Sequence, residues 1–285
     1  MEQVLWNGLY TGMQYALVAL GLTLIFALMN VMNFAHGQLY MLGGFVTYYV
    51  YGMMKLPYPV AIAASALSLA AVGVLFQVFL FKPVLRYSLR EESSMLLSAG
   101  TATFLESLAL IFFGEKHRGV PAVVNGVYRI GNAFLPKGRL LVIALAFAFI
   151  GIFILFMRYT KPGRALRAMA QDAPTARLMG INVDRYAVLG WALAALLAGV
   201  AGSLLVPISG VDSGIGNGIS IKAFIMVMIG GAGAVSGALL GGFILGMLEA
   251  WGYYLFPGGE TYLIIFVGLM IFLSLRPNGL MGKSS

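Results

Sequence analysis

The sequence predicts an all-α protein, a polytopic transmembrane helix bundle of about eight or nine spans with two broken or re-entrant segments. Three observations carry this. Of 285 residues, 60% are hydrophobic and only 10% charged, against roughly 25% charged in an ordinary globular domain. The apolar residues fall in runs of near-bilayer length. Two of those runs are interrupted by polar or glycine-rich stretches that contain no lysine or arginine.

The spans are expected at residues 4–29, 37–54, 58–81, 94–114 and 139–157, then at 187–207, 221–235, 237–256 and 260–276. The chain opens Met1-Glu2-Gln3 without a basic residue, so its first apolar run is read as a retained span and not a cleaved signal peptide. All 285 residues form one transmembrane domain, with 158–186 as its longest polar segment. If the spans alternate sides, one face collects eleven basic residues and the other seven: Lys55, Lys116, Arg118, Arg129, Lys137, Arg139 and Lys222. The positive-inside rule then places the N-terminus outside and the C-terminus in the cytoplasm. The basic residues behind the net charge of +8 lie in loops between apolar runs, as expected of charges retained on the cytoplasmic face, and no nucleic-acid partner is expected. With no cysteine, disulfides and thiolate metal sites are excluded.

The first break is Asn30-Val31-Met32-Asn33-Phe34-Ala35-His36-Gly37-Gln38, the second Gly230-Gly231-Ala232-Gly233-Ala234-Val235-Ser236-Gly237. Each is followed by Leu-Gly-Gly-Phe, at 42–45 and 240–243, which fits a diverged internal repeat. Non-helical backbone at membrane depth is tolerated only where protein or a water-filled cavity satisfies it. Paired broken helices therefore point to a translocation path. Tight turns between hairpin helices, touching no solute, are the other reading.

The polar segment reads as two short helices. Asp172 is suited to cap the second, Pro174 occupies its first turn, and Gly180 can end it in a left-handed conformation. Ala173, Ala176, Arg177 and Gly180 share a helical spacing and present a face of little bulk that could dock on a cytoplasmic partner. Arg164, Arg167 and Met179 accompany them. The competing reading is a solvated basic loop at anionic lipid heads.

Asn33-Phe34-Ala35-His36-Gly37 with Met41-Leu42-Gly43-Gly44 resembles the early motif of LivH-like permeases, membrane subunits of branched-chain amino acid ABC importers. Gly163-Arg164-Ala165-Leu166-Arg167-Ala168 through Ala176-Arg177-Leu178-Met179-Gly180-Ile181 looks like that family's cytoplasmic coupling loop. Lys222-Ala223-Phe224, Gly246-Met247-Leu248-Glu249 and Arg276-Pro277-Asn278-Gly279-Leu280 resemble its later spans and C-terminal signature. Two places depart from the pattern: Gln38 stands where many relatives carry glutamate, and Glu106-Ser107 where amides are commoner.

The resemblance implies a permease subunit in the bacterial inner membrane. Its partners would be a second, LivM-like permease, two cytoplasmic ATP-binding subunits and a periplasmic substrate-binding protein. ATP would be used by the partner ATPases, and this chain would bind no cofactor; it has no G-x-x-x-x-G-K-[ST] phosphate loop. Candidates for the substrate path are Asn33, His36 and Gln38, whose donors and acceptors suit a zwitterion or amide. Glu106 joins them as an ionisable group within a span, and Gly230, Gly231 and Gly233 through their break. His36 is equally well read as a buried histidine satisfied by a helix. Glu249 is a second carboxylate within a span, and Lys222 is expected to snorkel to the interface. Candidates for ATPase coupling are Arg164, Arg167, Asp172, Ala173, Ala176, Arg177, Met179 and Gly180. No HExxH, GxSxG or carboxylate cluster is present, so an enzyme is not expected. A passive channel for urea or short amides is the alternative.

Overall fold

The computed structural model describes residues 1–87, 91–131, 133–256 and 259–282; Arg90 and Lys283, two of the charges used to orient the chain, lie outside these. Helix α1 spans Glu2–Met29 and α2 His36–Thr47, which continues into a π-helical turn at Tyr48–Met53. Helix α3, Tyr58–Leu75, runs through a second π turn, Phe76–Phe81, into α4, Lys82–Tyr87. Then come α5 (Glu91–Phe113), strands β1 (Val127–Ile130) and β2 (Ala133–Pro136), and α6 (Lys137–Tyr159). Two short helices, α7 (Lys161–Gln171) and α8 (Ala173–Leu178), precede α9 (Val183–Ser209), α10 (Ile215–Gly230), α11 (Val235–Leu255) and α12 (Glu260–Leu275).

The helical bundle expected from the sequence is present, with one addition and one shortfall. The addition is the antiparallel β1–β2 hairpin in the loop between α5 and α6. The shortfall is in long spans: among the described residues six helices are long and apolar enough to cross a bilayer. Helices α10 and α12 have 16 residues each and α2 has 12, whereas a perpendicular crossing takes about 20.

Helix α1 is the central post. In its most apolar window 83% of residues are buried, against 22% in α5 at the periphery. Burial without polar side chains requires close helix contact, and small residues supply it. Gly8, Gly12 and Ala16 recur every four residues on α1, and Gly242, Gly246 and Ala250 do so on α11. A Cβ on Gly246 would lie 2.3 Å from the Gly12 nitrogen, and one on Gly242 would lie 2.6 Å from the Ala16 nitrogen. The helices therefore run antiparallel with backbones nearly touching. Both Leu-Gly-Gly-Phe copies lie inside helices and serve the same purpose: Gly43 meets Gly199 of α9, and Gly241 meets Met226 of α10.

The termini lie at opposite ends of the bundle. The hairpin sits beside the N-terminus, where Phe134 N donates to Gln3 Oε1 at 2.9 Å and Arg139 Nη1 to Asn7 Oδ1 at 2.6 Å. At the other end the C-terminal turn closes on α10, with Leu280 N donating to Ile229 O at 2.9 Å and Met281 N to Gly230 O at 3.0 Å. A cavity of about 680 Å³ at that end is walled by the last turn of α1, the α7–α8 junction and the C-terminal turn.

Candidate functional site

Asn30 ends α1 in a left-handed conformation (φ 53°), and the chain stays non-helical until α2 opens at His36. His36 Nε2 is 3.1 Å from the Val18 carbonyl, eleven residues back from Met29. At 1.5 Å per residue, the break retraces roughly 16 Å of α1. Helix α2 therefore starts deep in the bundle. Its approach is satisfied from both sides, as backbone inside a dry core must be. Phe34 N donates to Ser98 Oγ (3.1 Å), and Ser98 Oγ donates to Met32 O (3.0 Å). Gly37 N donates to Ser220 Oγ (3.1 Å), which donates to Phe34 O (2.9 Å). Asn33 Oδ1 accepts from Ala35 N at 3.0 Å.

Asn33, His36 and Gln38 are all wholly buried here. Each leaves one polar atom without a partner among the described residues: Asn33 Nδ2, His36 Nδ1 and Gln38 Oε1. The His36 ring thus lies inside the bundle against the α1 backbone, a position compatible with both sequence readings. His117, the other histidine, lies apart from it, with Nδ1 3.2 Å from Asp212 Oδ2.

Gln38 leads outward. Its Nε2 donates to Asn217 Oδ1 of α10 at 2.8 Å, and Asn217 Nδ2 donates to Glu106 Oε1 of α5 at 2.7 Å. Gln38 and Glu106, chosen separately from the sequence, are thereby joined through a residue that was not chosen. Asn217 is exposed and Glu106 half-buried. A carboxylate on a span needs water, a cation or another subunit to face it.

Gly230, Gly231 and Gly233 lie elsewhere. Gly231 (φ 100°) and Gly233 (φ 82°) turn the chain from α10 into α11 at the C-terminal end, where a Cβ on Gly233 would lie 3.7 Å from the Ala27 Cα of α1. This second break is a tight hairpin turn beside the α7–α8 segment, well away from Asn33, His36 and Gln38.

Lys222 does not snorkel. Its Nζ is 2.9 Å from Glu249 Oε1, and Tyr15 OH donates to Glu249 Oε2 at 2.6 Å. The Lys222 and Glu249 side chains are 18% and 6% exposed. A carboxylate one helix away offers more than the distant interface does, because the pair neutralises both charges within the bundle.

At the C-terminal end Thr160 caps α7 by accepting from Gly163 N at 3.0 Å. Ala165, Leu166 and Met169 face inward while Arg164 and Arg167 face out. Asp172 caps α8 as expected, accepting from Thr175 N at 3.1 Å and from the Thr175 hydroxyl. Those two bonds, the hydroxyl's foremost, hold its carboxyl below the usual aspartate range. Gly180 ends the turn with φ 86°. The shared small-residue face is divided, however: Ala176 is buried and Ala173 half-buried, while Arg177 and Gly180 are exposed. The outward face instead carries Leu178 and Met179, 86% and 79% exposed. Six residues of helix cannot keep four positions on one open side when a bundle lies beneath.

Sequence reasoning missed Asn217, Ser98, Ser220 and Tyr15. The first three had a signal, since polar residues interrupt Gly214-Ile215-Gly216-Asn217-Gly218-Ile219-Ser220 and Ser93-Ser94 through Ser98. Starting the seventh span at 221 assigned the first of these stretches to a loop.

The model of the family described as branched-chain amino acid transport system, permease component, matches residues 4–275. The chain is similar to the high-affinity branched-chain amino acid transport system permease protein BraD of Pseudomonas aeruginosa, 32% identical over 298 residues, which span 99% of this chain and 95% of the relative. It is 30% identical over 295 residues to the permease protein LivH of Escherichia coli K12, again spanning 99% and 95%. The ribose import permease protein RbsC of the same organism is 27% identical over 279 residues, spanning 91% of this chain and 80% of the relative. No solved structure gives a significant match.

Proposed function

The chain belongs to the family of permease components of branched-chain amino acid transport systems, and on that premise we propose that it is the membrane-spanning permease subunit of an ABC importer for branched-chain or other neutral amino acids. The observation that carries the coupling part of this reading is the α7–α8 segment. It is a pair of capped, cationic short helices at the bundle end that also receives the C-terminus, and it projects Leu178 and Met179 into the open. Exposed apolar residues on a charged surface element mark a protein contact, and a cytoplasmic ATPase is the contact such a permease requires.

In this reading α2 with its π turn, α10 and α12 complete nine crossings of one transmembrane permease domain. The broken segment at 30–35 lies at membrane depth. The N-terminus and the β1–β2 hairpin face the periplasm and its binding protein, and the C-terminus and α7–α8 face the cytoplasm. A LivM-like subunit pairs with this chain across the bilayer, and two ATP-binding subunits hydrolyse ATP. The chain itself holds no cofactor and catalyses no reaction. Asn33, His36, Gln38 and Glu106 belong to the substrate path, while Arg164, Arg167 and the α8 turn transmit ATPase closure. Transport follows if the path has different affinities for substrate in its inward and outward states.

The test is uptake of labelled leucine, alanine and urea into proteoliposomes holding the full assembly, with and without internal ATP. ATP-dependent uptake of leucine or alanine supports the importer. Urea uptake indifferent to ATP would replace it with a passive pore.

A further inference from the structure

The Gln38–Asn217–Glu106 chain has a direction that its chemistry fixes. An ionised carboxylate can only accept hydrogen bonds, so Asn217 must turn its amide nitrogen to Glu106 and its oxygen to Gln38. Gln38 must then donate, as it does at 2.8 Å, and its own oxygen is left over. That leftover acceptor is the Gln38 Oε1 which finds no donor among the described residues. Gln38 is packed directly against Gly216, where a Cβ would come within 2.3 Å of Oε1. The glutamine is thereby lodged under the first turn of α10, and Asn217 is held out toward α5.

The chain leaves acceptors to spare, Gln38 Oε1 and the remaining carboxylate lone pairs of Glu106. Among the described residues no lysine, arginine or histidine pairs with the half-buried Glu106, whereas the buried Glu249 has Lys222. A carboxylate in a low-dielectric span without a cation is costly, and the missing counter-charge must be rich in donors.

We propose that Glu106 receives the α-ammonium group of the amino acid during translocation, and that Asn217, anchored by Gln38, is the residue that positions it. This deepens the permease reading above and rests on it. A branched aliphatic side chain offers the path nothing polar, so the ammonium is the feature by which a carboxylate without a cation can hold such a substrate. A primary ammonium presents three donors on a compact charge. It can take the free lone pairs of Glu106 without displacing Asn217.

The experiment uses the complete assembly in proteoliposomes with its binding protein and labelled leucine. Glu106→Gln keeps the shape and the bond from Asn217 but removes the charge. Its maximal uptake rate is expected to fall about tenfold or more, the scale of a lost charge-assisted hydrogen bond. Half-saturation, set by the binding protein, and ATP hydrolysis stimulated by the loaded binding protein are expected to stay as in the parent. Asn217→Asp puts two carboxylates together. Its uptake should be low at neutral pH and recover on acidification, when the pair shares one proton, a response that a merely structural asparagine would not give. Wild-type uptake by Glu106→Gln overturns the proposal. So does loss of co-purification with the second permease in that variant, since the carboxylate would then serve the subunit contact. Absence of ATP-dependent uptake by the parent assembly would instead sink the permease reading itself.

Discussion

Lys222 and Glu249 face each other across the α10–α11 hairpin, with Nζ 2.9 Å from Oε1 and the Tyr15 hydroxyl closing the far side of the carboxylate at 2.6 Å. This clamps both helices to the central α1. Removing one partner strands the other charge, so Lys222→Met or Glu249→Leu alone is expected to cost about 3–5 kcal/mol. The double variant Lys222→Met with Glu249→Leu should recover most of that loss. Thermal unfolding of the purified protein in detergent checks both. Single and double variants that are equally destabilised would mean that the pair contributes no mutual compensation.

The α1–α11 seam admits no added carbon. Gly246→Ala would drive a methyl to within 2.3 Å of the Gly12 nitrogen, and backbone cannot retreat as a side-chain tip can. A loss of about 1–3 kcal/mol is expected from overpacking. Gly268 on α12 has nothing within 4 Å of its would-be Cβ, so Gly268→Ala should be neutral or stabilising by up to about 1 kcal/mol through helix propensity. Equal melting temperatures for the two variants would contradict the seam.

How much of this was legible in the sequence differs by scale. The long apolar runs gave α1, α3, α5, α6, α9 and α11, because bilayer length is written directly in composition. The start of α2 was marked by polar residues between apolar ones, yet nothing local says that the break folds back along α1 to Val18. The β1–β2 hairpin was read as loop, having four-residue strands that sequence periodicity barely registers. At the site, Glu106 and Gln38 stood out as polar groups in spans. Their link depends on Asn217, whose partners are 179 and 111 residues away in the chain. Lys222 and Glu249 were each noticed alone. Pairing them needs the hairpin geometry that Gly231 and Gly233 produce, and a linear reading cannot supply it.

Asp172 makes α8 pH-dependent. The Thr175 hydroxyl and amide bind its ionised form and lower its pKa from 3.8. A carboxyl depressed in the folded state stabilises the fold above its unfolded pKa, and that contribution is lost as pH falls through the folded value. A spin label at Met179 should therefore become more mobile on acidification below about pH 4. Asp172→Asn still caps the helix but does not titrate over this range. A label equally mobile in both proteins at every pH would exclude the cap as the controlling group.

The two sides of α8 separate folding from coupling. Ala176 is 4% exposed and packs into the bundle, so Ala176→Glu buries an unpaired charge. It should lower the melting temperature as well as uptake, through a penalty of several kcal/mol. Leu178 and Met179 touch almost nothing in this chain, at 86% and 79% exposure, and replacing either with glutamate removes no internal contact. Leu178→Glu and Met179→Glu are expected to leave the melting temperature and binding-protein capture unchanged while lowering uptake and stimulated ATP hydrolysis together by about tenfold, the effect of losing one central apolar anchor. The joint fall matters because a block in the substrate path would spare ATP hydrolysis, whereas a lost ATPase contact cannot. Normal uptake in both glutamate variants would move the docking surface off α8, and the exposed arginines Arg164 and Arg167 of α7 would be the next residues to replace.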